Sequence, residues 1–359
     1  MAVEPDPYQA DPPAASLFAR VAQARSRAAQ RRQAALVELG LDEAARLSDQ
    51  IRLVVGTRLR GLIEAVARDL KHQASRLAAD AGHDQADPWP ATVSDIVARL
   101  QTAGLLHDSI LVDELVAQAQ HRLIADALPS EAMGGDAPSL LVRLTEAPDR
   151  IVATAARAVL AVEGHAQAPA SHAENYAILS HRAQERLIWM VAAAMRADHR
   201  PAADRALAQA AERMLDARDE GACFGAPALR LATAIDARPS ELPVLLLECL
   251  SDRQLGLFIA LLAHALRLDD RDVREIVLEP DGDRLWLALR ALDLNRATIA
   301  RIGWAISEAD RRRDVERFAD GLDAVMAIAA TDAAEALALL KLPRAFRTAI
   351  DRLDGTLPR

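Results

Sequence analysis

Asp281-Gly-Asp-Arg-Leu-Trp-Leu-Ala-Leu-Arg-Ala-Leu-Asp-Leu-Asn-Arg-Ala-Thr-Ile-Ala-Arg-Ile-Gly-Trp-Ala-Ile306 is the stretch on which the fold turns. Leu285, Leu289 and Leu292 form one apolar stripe at helical spacing, and Ile299, Ile302 and Ile306 form a second after a short break. Two helices joined by a short linker satisfy this pattern. A strand would alternate apolar and polar residues at every second position. The same unit recurs downstream, where Phe318, Leu322 and Val325, and then Phe346, Ile350 and Leu353, keep the helical rhythm.

Working upstream, Ser251 with Gln254 reads as a capping box before the intensely apolar helix Leu255 to Leu266. Pro239 and Pro243 punctuate the preceding helix start, where proline is tolerated. Further helices are expected near 139–146, 149–163, 180–198 and 201–217, with a long mobile loop from Gly164 to Tyr176. In the N-terminal part, one helix is expected from Ser16 to Leu39 and a longer one from Ser48 or Asp49 to Ala79. Thr92 or Ser94 opens a third, and Asp108 or Ser109 a fourth that ends near Leu128.

Composition agrees. Apolar residues make up 51% of the 359 positions and aromatics only 3%, so Ala, Leu, Val and Ile carry the burial. Ala, Leu and Arg favour helix, and the aromatic and Thr enrichment of sheets is missing. The expected fold is all-α: an N-terminal helical bundle or set of hairpins, then an irregular HEAT-like stack of antiparallel helices. Elements recur every 15–25 residues, so helix pairs approach the repeat length of such arrays. The expected organisation is a disordered tail over 1–15, a helical domain over 16–128, a linker over 129–138 marked by Gly134-Gly135, and the stack over 139–359.

Four segments carry a family resemblance: Asp236-Ala-Arg-Pro-Ser-Glu-Leu-Pro-Val, Leu257-Phe-Ile-Ala-Leu-Leu-Ala-His-Ala-Leu, Asp281-Gly-Asp-Arg-Leu-Trp-Leu-Ala-Leu-Arg-Ala-Leu and Ala297-Thr-Ile-Ala-Arg-Ile-Gly. They resemble an all-helical, HEAT-like bacterial family of unknown function, typical of alphaproteobacteria. The likeness covers roughly residues 140–355, with weaker agreement over Ile51 to Leu70. These are packing patterns, so the resemblance implies a fold and no reaction, and it assigns no functional residue.

The formal charge of -9 argues against bulk nucleic-acid binding, which calls for a basic face, and so few aromatics leave no base-stacking platform. Basic charge is almost all arginine, the only lysines being Lys71 and Lys341. Two cysteines far apart in sequence, Cys223 and Cys249, read as reduced thiols of a cytoplasmic protein. Met1 to Pro13 has no secretory pattern, and the Leu255 to Leu266 run is too short for a membrane span.

Reaction motifs are absent: no phosphate loop, His-Glu-x-x-His, Cys-x-x-Cys or Gly-x-Ser-x-Gly occurs, and no catalytic residue, metal or cofactor is expected. The most suggestive chemistry is His181-Arg182 at the head of a helix. A neutral imidazole can attack a phosphoryl group, and an arginine can steady its oxygens. The pair faintly resembles the start of a histidine-kinase dimerisation motif, but Glu185 stands where Asn is wanted. His121-Arg122 repeats the dipeptide, which lowers the weight of the first. His264 reads as a satisfied core histidine, Glu279, Asp281 and Asp283 as turn and cap rather than a calcium loop, and Arg311-Arg312-Arg313 as a solvated run.

Arg20, Arg27 and Arg31 share one face of the first helix, a candidate interaction surface for an acidic partner. The leading expectation is a non-enzymatic cytoplasmic scaffold that binds a protein partner on its stacked helices. The alternative is a two-component signalling module, by phosphotransfer or kinase regulation, whose long helices also allow a homodimer.

Overall fold

Polar side chains start most of the helices. In the computed structural model, which describes residues 47–80, 89, 92–129, 138–167, 176–196 and 201–353, α1 runs Asp49–Asp80 and α2 Val93–Thr102. Thr92 caps α2 by accepting the Asp95 N–H at 3.2 Å, and donates its own hydroxyl to the Asp95 carboxylate at 2.7 Å. Helix α3, Ser109–Ala127, is capped by Asp108 through the Leu111 N–H at 3.1 Å. Each cap satisfies an N–H that the first turn leaves without an intrahelical partner.

Helices α4 (Leu140–Thr145), α5 (Arg150–Gln167), α6 (His181–Ala194), α7 (Pro201–Asp216) and α8 (Ala226–Ile235) follow. Then come α9 (Leu242–Ser251), α10 (Leu255–Leu266), α11 (Asp270–Leu278), α12 (Asp283–Ala291) and α13 (Arg296–Ala309). The last three are α14 (Val315–Ala327), α15 (Ala330–Ala336) and α16 (Arg344–Leu353). The described residues contain these helices, a few single 3-10 turns and no strand, so the chain is all-α and its helices stack on one another. Chain neighbours pack together (α4 on α5, α9 on α10, α10 on α11, α13 on α14), and α5 and α10 both pack on α8. Residues Gln50–Arg359 cluster as one compact unit.

Two apolar clusters form the interior. One gathers Leu62, Val66 and Leu70 of α1, Leu100 of α2 and Leu111 and Leu115 of α3 with Ile188 of α6 and Leu207 of α7. The other gathers Ile124 and Leu128, at the far end of α3, with the interiors of α4, α5 and α8–α14. Helix α3 therefore reaches into both. Packing also crosses the expected linker at 129–138, because α6 and α7 share a cluster with α1 and α2. The two described ends of that stretch are tied to one turn: Arg253 Nε donates to the Leu128 carbonyl at 3.0 Å, and Asp252 accepts the Leu140 N–H at 2.5 Å.

Four local expectations change. Ser251 is the last residue of α9 and gives its hydroxyl to the Leu247 carbonyl at 3.1 Å, so it does not cap α10. The chain reverses through Arg253 in the left-handed region (φ 59°), and Gln254 starts α10 without a side-chain cap. Helix α5 continues to Gln167, past the Gly164 at which a loop was expected, and 168–175 lie outside the described residues. His264 is partly exposed, with Nε2 2.9 Å from the Asp236 carboxylate.

The arginine run is the fourth. Arg311 and Arg312 are exposed, but Arg313 is only 8% exposed and Asp310 5%. Arg313 and Arg312 donate to the Val277 and Leu278 carbonyls at 2.7 and 2.9 Å, closing the C-terminal end of α11, while Arg312 grips Asp310 with two nitrogens at 2.7 and 2.9 Å. The last carbonyls of a helix need donors, and a buried guanidinium supplies them. The expected helix over Ser16 to Leu39 and tail over 1–15 lie outside the described residues.

Candidate functional site

Glu114, Gln118 and His121 stand at i, i+4 and i+7 of α3, one stripe between its two apolar ends. The Glu114 carboxylate accepts the Ser180 backbone N–H at 2.7 Å, the Ser180 hydroxyl, and the amide of buried Gln118 at 3.2 Å. Ser180 in turn caps α6. One turn further along α3, the His121 ring meets Phe224 edge-on, with centroids 5.0 Å apart at 88°. The Arg274 guanidinium carbon lies 4.8 Å from the same phenyl centroid and pairs with Asp270 at 2.8 Å. The result is a polar seam where the two apolar clusters meet.

Burial sets the charge states here. Desolvation, and then the positive charge of Arg274, push the His121 pKa down from 6.5 to about 3, so the imidazole is neutral across the physiological range. Desolvation raises the Asp270 pKa, against the opposing pull of Arg274. His121 keeps some surface, yet its Nδ1 is enclosed; like Gln118 Oε1 and Arg274 Nε it makes no hydrogen bond with the described residues.

The seam links the segments that carry the two candidate histidines. Ser180, next to His181, is held by Glu114 on the helix that carries His121. His181 opens α6; its Nε2 is enclosed, and its carbonyl accepts from Arg218 at 3.3 Å. Arg182 is exposed. Phosphoryl transfer needs a ring nitrogen that an incoming phosphate can reach, and each histidine has one nitrogen shut away from solvent. Arg20, Arg27 and Arg31 lie outside the described residues.

The acidic trio is engaged by arginines: Glu279 pairs with Arg284 at 2.9 Å, and Arg317 lies 3.5 Å from Asp281 and 4.0 Å from Asp283. No group of three His, Cys, Asp or Glu side chains among the described residues is placed to hold a metal ion. No helix among them is long and apolar enough to cross a membrane.

Sequence reasoning passed over two features. The first is α16, where Arg344 and Arg347 pair with the protein while Phe346 and Leu353 face water. Arg347 pairs at 2.5 Å and Arg344 at 3.6 Å with Asp272, a carboxylate only 3% exposed, and Arg344 reaches Glu275 at 2.6 Å. On the opposite side Phe346 is 56% and Leu353 86% exposed, and Leu339 and Leu342 just before the helix are exposed as well. The i, i+4, i+7 rhythm was visible, but which side it faced was not. The second is Trp304 on α13, an exposed indole next to a small cup of about 80 Å³ walled by Pro129, Leu247 and Ser251. A broader groove of about 280 Å³ lies between α1 and α2, with Arg52, Leu53 and Gln101 on its walls.

No family model, no curated protein and no solved structure matches this chain.

Proposed function

We propose that the protein is a non-enzymatic cytoplasmic interaction scaffold, and that its stacked helices present α16 to a protein partner. The observation that carries this reading is the inverted orientation of α16. Its charged side is spent on ion pairs to α11, and Phe346, Ile350 and Leu353 line the other side, with Phe346 and Leu353 more than half exposed. Leaving such residues in water forgoes roughly 1.5–3 kcal/mol of burial each, which a partner's apolar surface would recover. An amphipathic helix laid into an apolar groove is a common form of such recognition.

Membership of the alphaproteobacterial all-helical family remains part of the proposal and rests on the four segments that carry the resemblance. The signalling alternative has weaker support, because His181 and His121 each have an enclosed ring nitrogen. The test is cross-linked affinity capture of the tagged full chain from its native lysate, comparing wild type with Phe346→Glu. A recurrent partner that falls at least tenfold with the variant is the expected result. A wild-type list without specific partners, or one that Phe346→Glu leaves intact, would sink the reading.

A further inference from the structure

The exposed stripe of α13 is Ala297, Arg301, Trp304 and Glu308, at i, i+4, i+7 and i+11. Trp304 is 42% exposed. Arg301 and Glu308 have no ion-pair or hydrogen-bond partner among the described residues, whereas Arg296 at the head of the same helix is paired to Asp323. Helical rise separates Arg301 from Glu308 by about 10.5 Å, and Trp304 stands within about 1 Å of the midpoint. Opposite charges at equal distances from a central indole form a self-complementary pattern.

We propose that the protein forms a two-fold homodimer through antiparallel pairing of α13 with α13 of a second copy. A two-fold axis across the helix between Trp304 and Ala305 sets Arg301 opposite Glu308 of the partner subunit. The same axis sets Glu308 opposite Arg301 of the partner subunit and brings the two indoles together at the centre. Such an interface is isologous, the same patch used on both copies. Ala297, Ala300 and Ala305 flank the stripe, and these short side chains allow the close interaxial distances of well-packed helices. Beside the indole, the small cup walled by Pro129 and Leu247 gives the patch a concave side. Tryptophan and arginine at the centre of a contact are the residues that most often dominate binding energy.

The occupant is a second copy because one chain supplies both halves of the charge pattern. A different protein would have to carry an acid and a base at the same spacing about its own apolar centre. The proposal does not depend on α16 as a partner site, and the two fail separately.

Sedimentation equilibrium of the full chain decides it. Wild type should shift to twice the mass of one chain as concentration rises. Arg301→Glu alone and Glu308→Arg alone each place like charges opposite one another at both ends and should weaken association at least tenfold. An equimolar mixture of the two single variants should restore it, since the mixed pair has opposite charges at both ends, and the double variant should restore it too. Recovery on mixing also shows that the single variants are folded, as does unchanged helical circular dichroism. A wild type that stays at the mass of one chain at every concentration overturns the proposal. So do single variants that associate like wild type, a mixture that does not recover, or a dimer abolished by Phe346→Glu and indifferent to Arg301→Glu.

Discussion

His121 and Asp272 show how far a single residue's surroundings set its role. The folded-state pKa of His121, about 3, lies below its unfolded value of 6.5, so the unfolded chain binds the proton more readily. The resulting stability is fully present above pH 6.5 and is lost as the pH falls toward 3, at up to about 1.4 kcal/mol per pH unit. Asp270, with its raised pKa, works in the opposite direction. Urea midpoints measured from pH 7 to pH 4 should therefore fall less steeply for His121→Leu than for wild type. Equal slopes would mean that His121 is solvated. At Asp272 the asymmetry concerns which partner is removed. Arg347→Ala strips a buried carboxylate of its nearest partner and should cost about 3 kcal/mol, while Asp272→Ala releases arginines that can find water and should cost less.

At the scale of the element, that difference becomes mobility. In Asp272→Ala the helix α16 loses the ion pairs that hold its arginine face, so amide exchange over 347–353 should accelerate at least tenfold, with α10 unchanged. Exchange as slow as wild type would show that apolar contact, not charge, holds the helix. Packing of α13 against α14 depends on a missing side chain. A Cβ at Gly303 would collide with the ring of Phe318, which also lies 4.4 Å from the Trp286 ring centroid. Alanine normally favours a helix by about 1 kcal/mol over glycine. Here Gly303→Ala should instead destabilise by about 1–3 kcal/mol through overpacking. A raised melting temperature would contradict this packing.

For the whole molecule, α3 is the shared component. It gives Leu111 and Leu115 to one apolar cluster, Ile124 and Leu128 to the other, and the polar stripe Glu114, Gln118 and His121 to the seam between them. Removing Ile188, fully buried in the first cluster, should cost about 2–5 kcal/mol. Because α3 couples the clusters, Ile188→Ala should move a single calorimetric transition to lower temperature. Two separated transitions would mean that the clusters unfold independently.

What the sequence by itself determined is local: helix type, helix starts and the rhythm of apolar faces. Thr92 and Asp108, each one of two expected starts, are caps, because a cap needs only an oxygen and an N–H two or three residues away. The tertiary structure decided everything that depends on distant segments. It packed α6 and α7 with α1 and α2 across the 129–138 stretch, and it buried Arg313 to close α11. It paired Arg344 and Arg347 of α16 with α11 and enclosed one nitrogen of each candidate histidine. Periodicity shows that a helix has two faces. Which face is buried depends on what another part of the chain offers it, and at Asp272 that offer was a charge.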